Sequence, residues 1–289
     1  MNDINYILKN KTASEYSIVK AYLQILEAMK IEYQIVITAD RFEHKLDPEF
    51  YNPSALREFM IYLPEIKQYI SPTRIDYRLS EAPSNILGNY GVFINKDVEY
   101  YFAKITQYDP EYSRIKRIMD ISFSDDFDKA IIDENQEYSG HWGVSNRAFM
   151  TLAIGQQKEE FKDYLTGSGI EDKNVLNFEV ENTDINQTEY NLPYIVKSTT
   201  ESSALLEEAG DSYIFQLGKI IGTQSELYQE KERVHPIEMQ YPNQYNYTIT
   251  VDIPKGYTLE GLESLEINKR MEIDGKLLCK WLSEYEIKG

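Results

Sequence analysis

The chain has 289 residues, enough for two domains with separate cores. Its 48 acidic and 30 basic residues leave a net charge of −18, which repels phosphate backbones and anionic lipid and so argues against a nucleic-acid or membrane-surface partner. A single cysteine, Cys279, excludes an intrachain disulfide and a cysteine-rich zinc site. No run of about 18 apolar residues occurs, so no direct membrane insertion is expected.

The opening MNDINYILKNK lacks the basic, apolar and small-residue order of a signal peptide. Residues 13–31, ASEYSIVKAYLQILEAMKI, then predict a helix. Ile18, Ala21, Tyr22, Ile25, Leu26 and Met29 fall on one stripe of a 3.6-residue period, which is expected to face a core. Thr12 or Ser14 can cap its start, and the charge of Glu15 suits the positive end of the helix dipole. EYQIVITAD follows as a strand, then a polar loop with Pro48 and Pro53, then FMIYLP and QYISPT, two short strands each closed by proline.

Beyond residue 97 strand signals repeat in VEYYFAKITQY, SRIKRIMDISFS and KAIIDENQEY, separated by Asp109-Pro110 and Asp125-Asp126. SNRAFMTLAIGQQKEEFKDYL predicts one inserted helix that stops at the glycines of TGSG, residues 166–169. KNVLNFEVEN, YNYTITVDIPKGY and KLLCKWLSEYEI are strand-like, the second alternating strictly at Tyr247, Ile249, Val251 and Ile253. The expected class is α+β: a helix on a small antiparallel sheet over residues 1–97, then a mostly antiparallel, sandwich-like β domain with an inserted helix over residues 98–289. The 24 tyrosines suit strands, and also an aromatic surface for sugar or protein contact.

Motifs for common chemistries are few. Neither a P-loop nor a dinucleotide-binding glycine pattern is present. His44, His141 and His235 are far apart and lack ligand spacing, which points to surface or packing roles. Asp125, Asp126, Asp128, Asp133 and Glu134 lack the glycine-bearing calcium loop and read as a solvated turn. Ser17 to Lys20 matches S-x-x-K, but neither S-D-N nor K-T-G follows. No metal or cofactor is expected.

Residues 13–31 resemble, without a gap, the helix that opens the catalytic core of transglutaminase-like proteins, relatives of the papain-like cysteine proteases. That pattern runs G-x-C, a long apolar helix, then A-L-G-I, and Ala28, Met29, Lys30 and Ile31 take its last four places. FMIYLP and YISPT resemble the next two strands, H-x-W-x-E-V-x-x-P and W-x-x-x-D-P-T. SGHWGVSNRAF, ERVHPIEMQYP and VDIPKGYTLEGL look like the β-rich C-terminal part of bacterial envelope proteins that carry this core between two β domains. On this resemblance the nucleophile's place falls on Glu15, the histidine's on or beside Leu56, and the aspartate's on Ser71. No member of the triad is retained, and thiolate chemistry needs a sulfur activated by an imidazole.

The resemblance therefore implies a catalytically inactive module that binds or scaffolds a protein or glycan in the bacterial cell envelope or periplasm. Tyr16, Arg57 and Glu58 are candidate cleft-lining residues. It also implies a further β domain before the helix, covering it, and hence a chain that is part of a longer protein. The rival expectation is a hydrolase or acyltransferase in which Glu15 and Glu58 work as paired carboxylates.

Overall fold

The computed structural model describes residues 4–49, 52–79, 81–167, 169–222, 229–234 and 237–288. The chain divides into two compact units, Met1–Thr250 and Val251–Gly289. Its class is α+β with mostly antiparallel sheets, as the pattern of elements predicts. No helix among the described residues is long and apolar enough to cross a membrane.

The first unit starts with a short helix that periodicity does not announce, α1 (Ile4–Asn10), followed by α2 (Glu15–Ala28). Ser14 caps α2, its hydroxyl oxygen accepting the Ser17 amide at 3.3 Å, while Thr12 turns its hydroxyl to the Asn10 carbonyl. The strands β1 (Gln34–Thr38), β2 (Glu58–Leu63), β3 (Gln68–Ile70), β4 (Tyr90–Ile94) and β5 (Tyr100–Lys104) form an antiparallel sheet in the order β3-β2-β1-β4-β5. The sheet runs past residue 97 to take in β5, and β4 is a strand that the sequence pattern misses.

Period-two alternation gives this sheet two apolar faces. Ile35, Ile61 and Ile70 lie in register on one, packed with Leu23 and Leu26 of α2. Val36, Met60, Tyr69 and Phe93 lie on the other, covered by Ala82, Ile86 and Leu87 of the long loop after β3 and by Tyr241. The apolar stripe expected of α2 is buried only in part. Leu26 is buried, but Tyr22, Ile25 and Met29 are exposed, Met29 by 63%. The helix is rolled so that Leu23 and Leu26 meet the sheet, and the other flank of the stripe faces outward.

The second sheet has the order β12-β6-β7-β9-β8, built from β6 (Arg114–Phe123), β7 (Ala130–Tyr138), β8 (Asn174–Glu181), β9 (Tyr194–Ser202) and β12 (Gln244–Val251). The inserted helical stretch is two helices rather than one: α3 (His141–Leu152) and α4 (Gln156–Leu165), broken at Ala153-Ile154-Gly155, where Gly155 takes a φ of 53°. A residue there with positive φ cannot continue a right-handed helix. Trp142, Met150, Phe161 and Leu165 from these helices pack with Ile115, Tyr138, Tyr194 and Val196 of the sheet. A hairpin of β10 (Leu206–Ala209) and β11 (Ser212–Phe215) and a short helix α5 (Leu217–Ile221) precede β12.

The second unit contains the hairpin of β13 (Ile267–Ile273) and β14 (Lys276–Ser283), turning at Asp274-Gly275, both at positive φ. Positive φ at both central residues is what a tight type I′ hairpin turn requires, and Asp-Gly supplies it.

Candidate functional site

Of the positions singled out by sequence, the structure brings Glu15 and Glu58 together. Glu15 opens α2 and is exposed; Glu58 opens β2 and is half-buried. They lie close enough for their charges to act on one another. Burial pushes the Glu58 carboxyl above the usual carboxylate range, Arg74 draws it back, and the charges of Asp40, Glu15 and Glu43 add to the push. Arg74, three residues beyond Ser71, grips both carboxylate oxygens of Asp76 at 3.0 and 2.8 Å and lies 4.9 Å from the centre of the Tyr77 ring. Asp40 accepts the Phe42 amide at 2.8 Å and the Asn85 side-chain amide at 2.9 Å.

The other positions are structural in their contacts. Ser71 is buried and its hydroxyl donates to the Glu81 carbonyl at 3.4 Å. Leu56 is half-buried, its amide donating to Pro53. The Arg57 side chain donates back to the Ser54 carbonyl at 3.3 Å, and its amide bonds Thr38. Tyr16 stands in solvent beside Glu15, 69% exposed. At the three triad-equivalent positions, Glu15, Leu56 and Ser71, no hydroxyl, thiol or imidazole is hydrogen-bonded in series with another.

A second gathering of side chains lies inside the same unit and is absent from the sequence expectations. His141, at the first turn of α3, is buried; its Nε2 is 3.1 Å from the Ala82 carbonyl, to which it donates, and its Nδ1 accepts the Ser113 hydroxyl at 2.9 Å. Tyr241 stacks on the imidazole, and Tyr77, Tyr108 and Tyr112 stand around it with ring centres 5.5 to 6.2 Å away. Burial pushes His141 down to about 4, so it is neutral at ordinary pH. Beside it Glu81 accepts the Tyr112 hydroxyl at 3.3 Å and the Arg78 amide at 3.1 Å, and burial pushes its carboxyl up. Nothing in the spacing of these residues marks them, because they come from a long loop, two strand ends, a helix start and a late segment.

The remaining expectations are dispersed. Asp125, Asp126 and Asp128 lie in an exposed turn after β6, whereas Asp133 accepts the Thr199 hydroxyl at 2.6 Å on β7 and Glu134 is buried against Arg117. Ser17 meets the Ser14 hydroxyl at 2.9 Å, and Lys20 is exposed. His44 packs beside Asn89, which bonds its carbonyl at 3.1 Å. His235 lies outside the described residues.

The fold defines an α+β protein dominated by antiparallel sheets. Residues 211–273, from β11 through β13, match the family described as Domain of Unknown Function with solved-structure structure (DUF3858). No curated protein and no solved structure matches the chain.

Proposed function

We propose that this chain is a non-catalytic, transglutaminase-like binding or scaffolding module whose ligand, a protein or a glycan, sits at the corner of Tyr16, Arg57 and Glu58, and that it works in the bacterial cell envelope. The observation that carries this reading is the chemistry at the three triad-equivalent positions. An exposed carboxylate at Glu15, an alkyl chain at Leu56 and a hydroxyl at Ser71 already engaged with a carbonyl do not form a nucleophile and its base. The outward flank of α2, with Tyr22, Ile25 and Met29 exposed, supports the companion idea that a preceding β domain covers this helix. The test is to assay the chain for amine transfer onto a glutamine peptide and for amide hydrolysis, before and after alkylation of Cys279, and to titrate it with soluble cell-wall glycan fragments and envelope peptides. No turnover in either state is expected, with binding that Tyr16→Ala and Arg57→Ala each weaken about fivefold or more. Thiol-sensitive turnover defeats the reading.

The raised carboxyl of Glu58, with Glu15 among its causes, favours one second reading, paired-carboxylate hydrolysis or acyl transfer. Turnover lost in both Glu15→Gln and Glu58→Gln would establish it.

A further inference from the structure

The face of the first sheet that the loop after β3 covers has one open margin, on the side where β5 is the edge strand. Tyr101 of β5 lies there against Phe93, its register partner on β4, with ring centres 5.2 Å apart and planes 13° from parallel. Its hydroxyl reaches across β4 and donates to Gln34 Oε1 of β1 at 2.8 Å. Phe93 is 3% exposed as a result, whereas Tyr101 is 46% exposed. One face of the Tyr101 ring rests on Phe93, so the surface it gives to solvent is the opposite face and the rim. The stack and the hydrogen bond fix the ring at both ends, and a ligand that lies on it removes little further side-chain freedom.

Polar groups border the hydroxyl side of this ring. Gln34 is in register with Tyr62, whose ring centre is 5.5 Å from that of Phe93. Among the described residues the Gln34 Nε2 and the Tyr62 hydroxyl have no hydrogen-bond partner, and neither is buried away from water. Glu99 pairs with Asn95 just beyond the strand ends and, two residues before Tyr101, falls on the same face. One of its carboxylate oxygens accepts the Asn95 side-chain amide at 2.9 Å, which orients the other. The margin therefore offers a flat apolar surface edged by an amide donor, a phenol and a carboxylate acceptor.

That combination is complementary to a pyranose with gluco configuration. Such a sugar has two apolar faces of axial C–H bonds, and its hydroxyls all lie at the rim, where each can donate and accept. We propose that Tyr101 is the stacking platform of a second ligand site, which takes a neutral glycan of glucose or N-acetylglucosamine units, with Gln34, Tyr62 and Glu99 holding the rim hydroxyls. Glu99 and the net charge of −18 select against anionic sugars. The site is separate from the one proposed at Tyr16, Arg57 and Glu58: Gln34 opens β1, whereas Glu58 pairs with Thr38 at the other end of that strand, roughly 13 Å away.

The test is saturation-transfer NMR of the whole chain with cellohexaose and, separately, chitohexaose. At least one is expected to bind with a dissociation constant on the order of 1 mM, with saturation strongest on the axial protons of one sugar face. Which of the two binds identifies the unit. Hexagalacturonate, anionic and with an axial hydroxyl, should bind at least about tenfold more weakly. Tyr101→Ala should weaken the neutral hexamer about tenfold or more. Tyr101→Phe keeps the ring and should bind within about threefold of the parent, which separates loss of the platform from a folding defect. Tyr100→Ala, on the opposite face of β5, should bind as the parent does. Absence of saturation with both neutral hexamers overturns the proposal, as does equal binding of hexagalacturonate, full binding by Tyr101→Ala, or loss of binding in Tyr101→Phe. Binding that Tyr16→Ala abolishes and Tyr101→Ala spares places the sugar at the other site and also overturns it.

Discussion

His141 stacks flat on Tyr241, ring centres 4.5 Å apart and planes 18° from parallel, and so ties the start of α3 to a segment a hundred residues later. The imidazole is also bonded at both nitrogens, to Ala82 and Ser113, so it joins the loop after β3 and the start of β6 in the same place. Protonation would put a charge in that buried setting and turn the Nδ1 acceptor into a second donor.

The consequence is a stability that depends on acid in a definite direction. The folded state holds His141 near 4 and the unfolded chain near 6.5, so between those values the unfolded chain binds more protons. The stabilisation is full above about 6.5, is lost as pH falls toward 4, and amounts to about 3 kcal/mol. Glu81 acts the opposite way: its raised carboxyl favours folding below its unfolded value of 4.5, and that contribution is lost as pH rises through its folded pKa. Urea melts between pH 4.5 and 7.5 separate the two. Glu81→Gln is expected to steepen the rise of stability with pH, and His141→Gln to flatten or reverse it. Parallel curves for the two variants and the parent would show that neither group sets the acid limit.

Arg117 and Glu134, neighbours across β6 and β7, form an ion pair with side chains 11% and 5% exposed. Gln136 donates to Glu134 at 3.0 Å and to the Leu165 carbonyl at 2.6 Å, Tyr138 donates to Gln136, and Arg117 also donates to the Ile220 carbonyl at 3.2 Å. Removing one partner leaves a buried charge. Glu134→Leu or Arg117→Met alone should each cost about 3–5 kcal/mol, and the double variant far less than their sum, because an apolar pair of similar volume replaces a fully desolvated ion pair at little net cost. Chemical denaturation of the three variants decides this; additive losses would mean that the two charges do not depend on each other.

How much of this was legible in the sequence follows from how local each feature is. The start of α2 is local: a serine before an apolar 3.6-period run is read directly, and Ser14 caps the helix. Alternation likewise marks β12, and prolines mark the ends of β2 and β3. The face that α2 buries is not local. Tyr22, Ile25 and Met29 belong to the periodic stripe as much as Leu26 does, but only contact with Ile61 and Leu63 decides which flank is covered. The break between α3 and α4 is hidden because Ala153 and Ile154 continue the apolar pattern while the backbone turns extended at Ala153 and to positive φ at Gly155. In the site, Glu15 and Glu58 could be paired through the resemblance, whereas Arg74, Glu81 and the His141 cluster depend on where a long loop is laid down, which no spacing encodes.

The start of α2 gives a small and separable pair of effects. Ser14→Ala removes the acceptor for the Ser17 amide and should cost about 1 kcal/mol. Glu15→Gln removes only a favourable charge at the dipole's positive end and should cost less than about 1 kcal/mol. Thermal melts at low and high salt check both: the Glu15 effect should shrink with added salt and the Ser14 effect should not. A Glu15→Gln variant of unchanged stability in low salt would remove the structural account of that residue.

Gly140 ends the chain's run from β7 into α3 at φ 58°, with its amide held by the Asn191 side chain at 2.5 Å. A Cβ there would lie 2.3 Å from the Tyr112 carbonyl oxygen, a backbone atom that cannot rotate away. Gly155 offers an internal control, since it has a φ of 53° and nothing within 4 Å of an added Cβ. Gly155→Ala should therefore carry dihedral strain alone, about 1–3 kcal/mol. Gly140→Ala adds the overlap with Tyr112, which is followed directly by the serine that bonds His141, so relief of the clash must pull that hydrogen bond and the tyrosine shell apart. The expected loss exceeds that of Gly155→Ala by about 2 kcal/mol or more, together with a reduced near-ultraviolet tyrosine circular dichroism signal. Equal losses and an unchanged aromatic signal in the two variants would mean that the approach of Gly140 to Tyr112 is not what holds the His141 cluster in place.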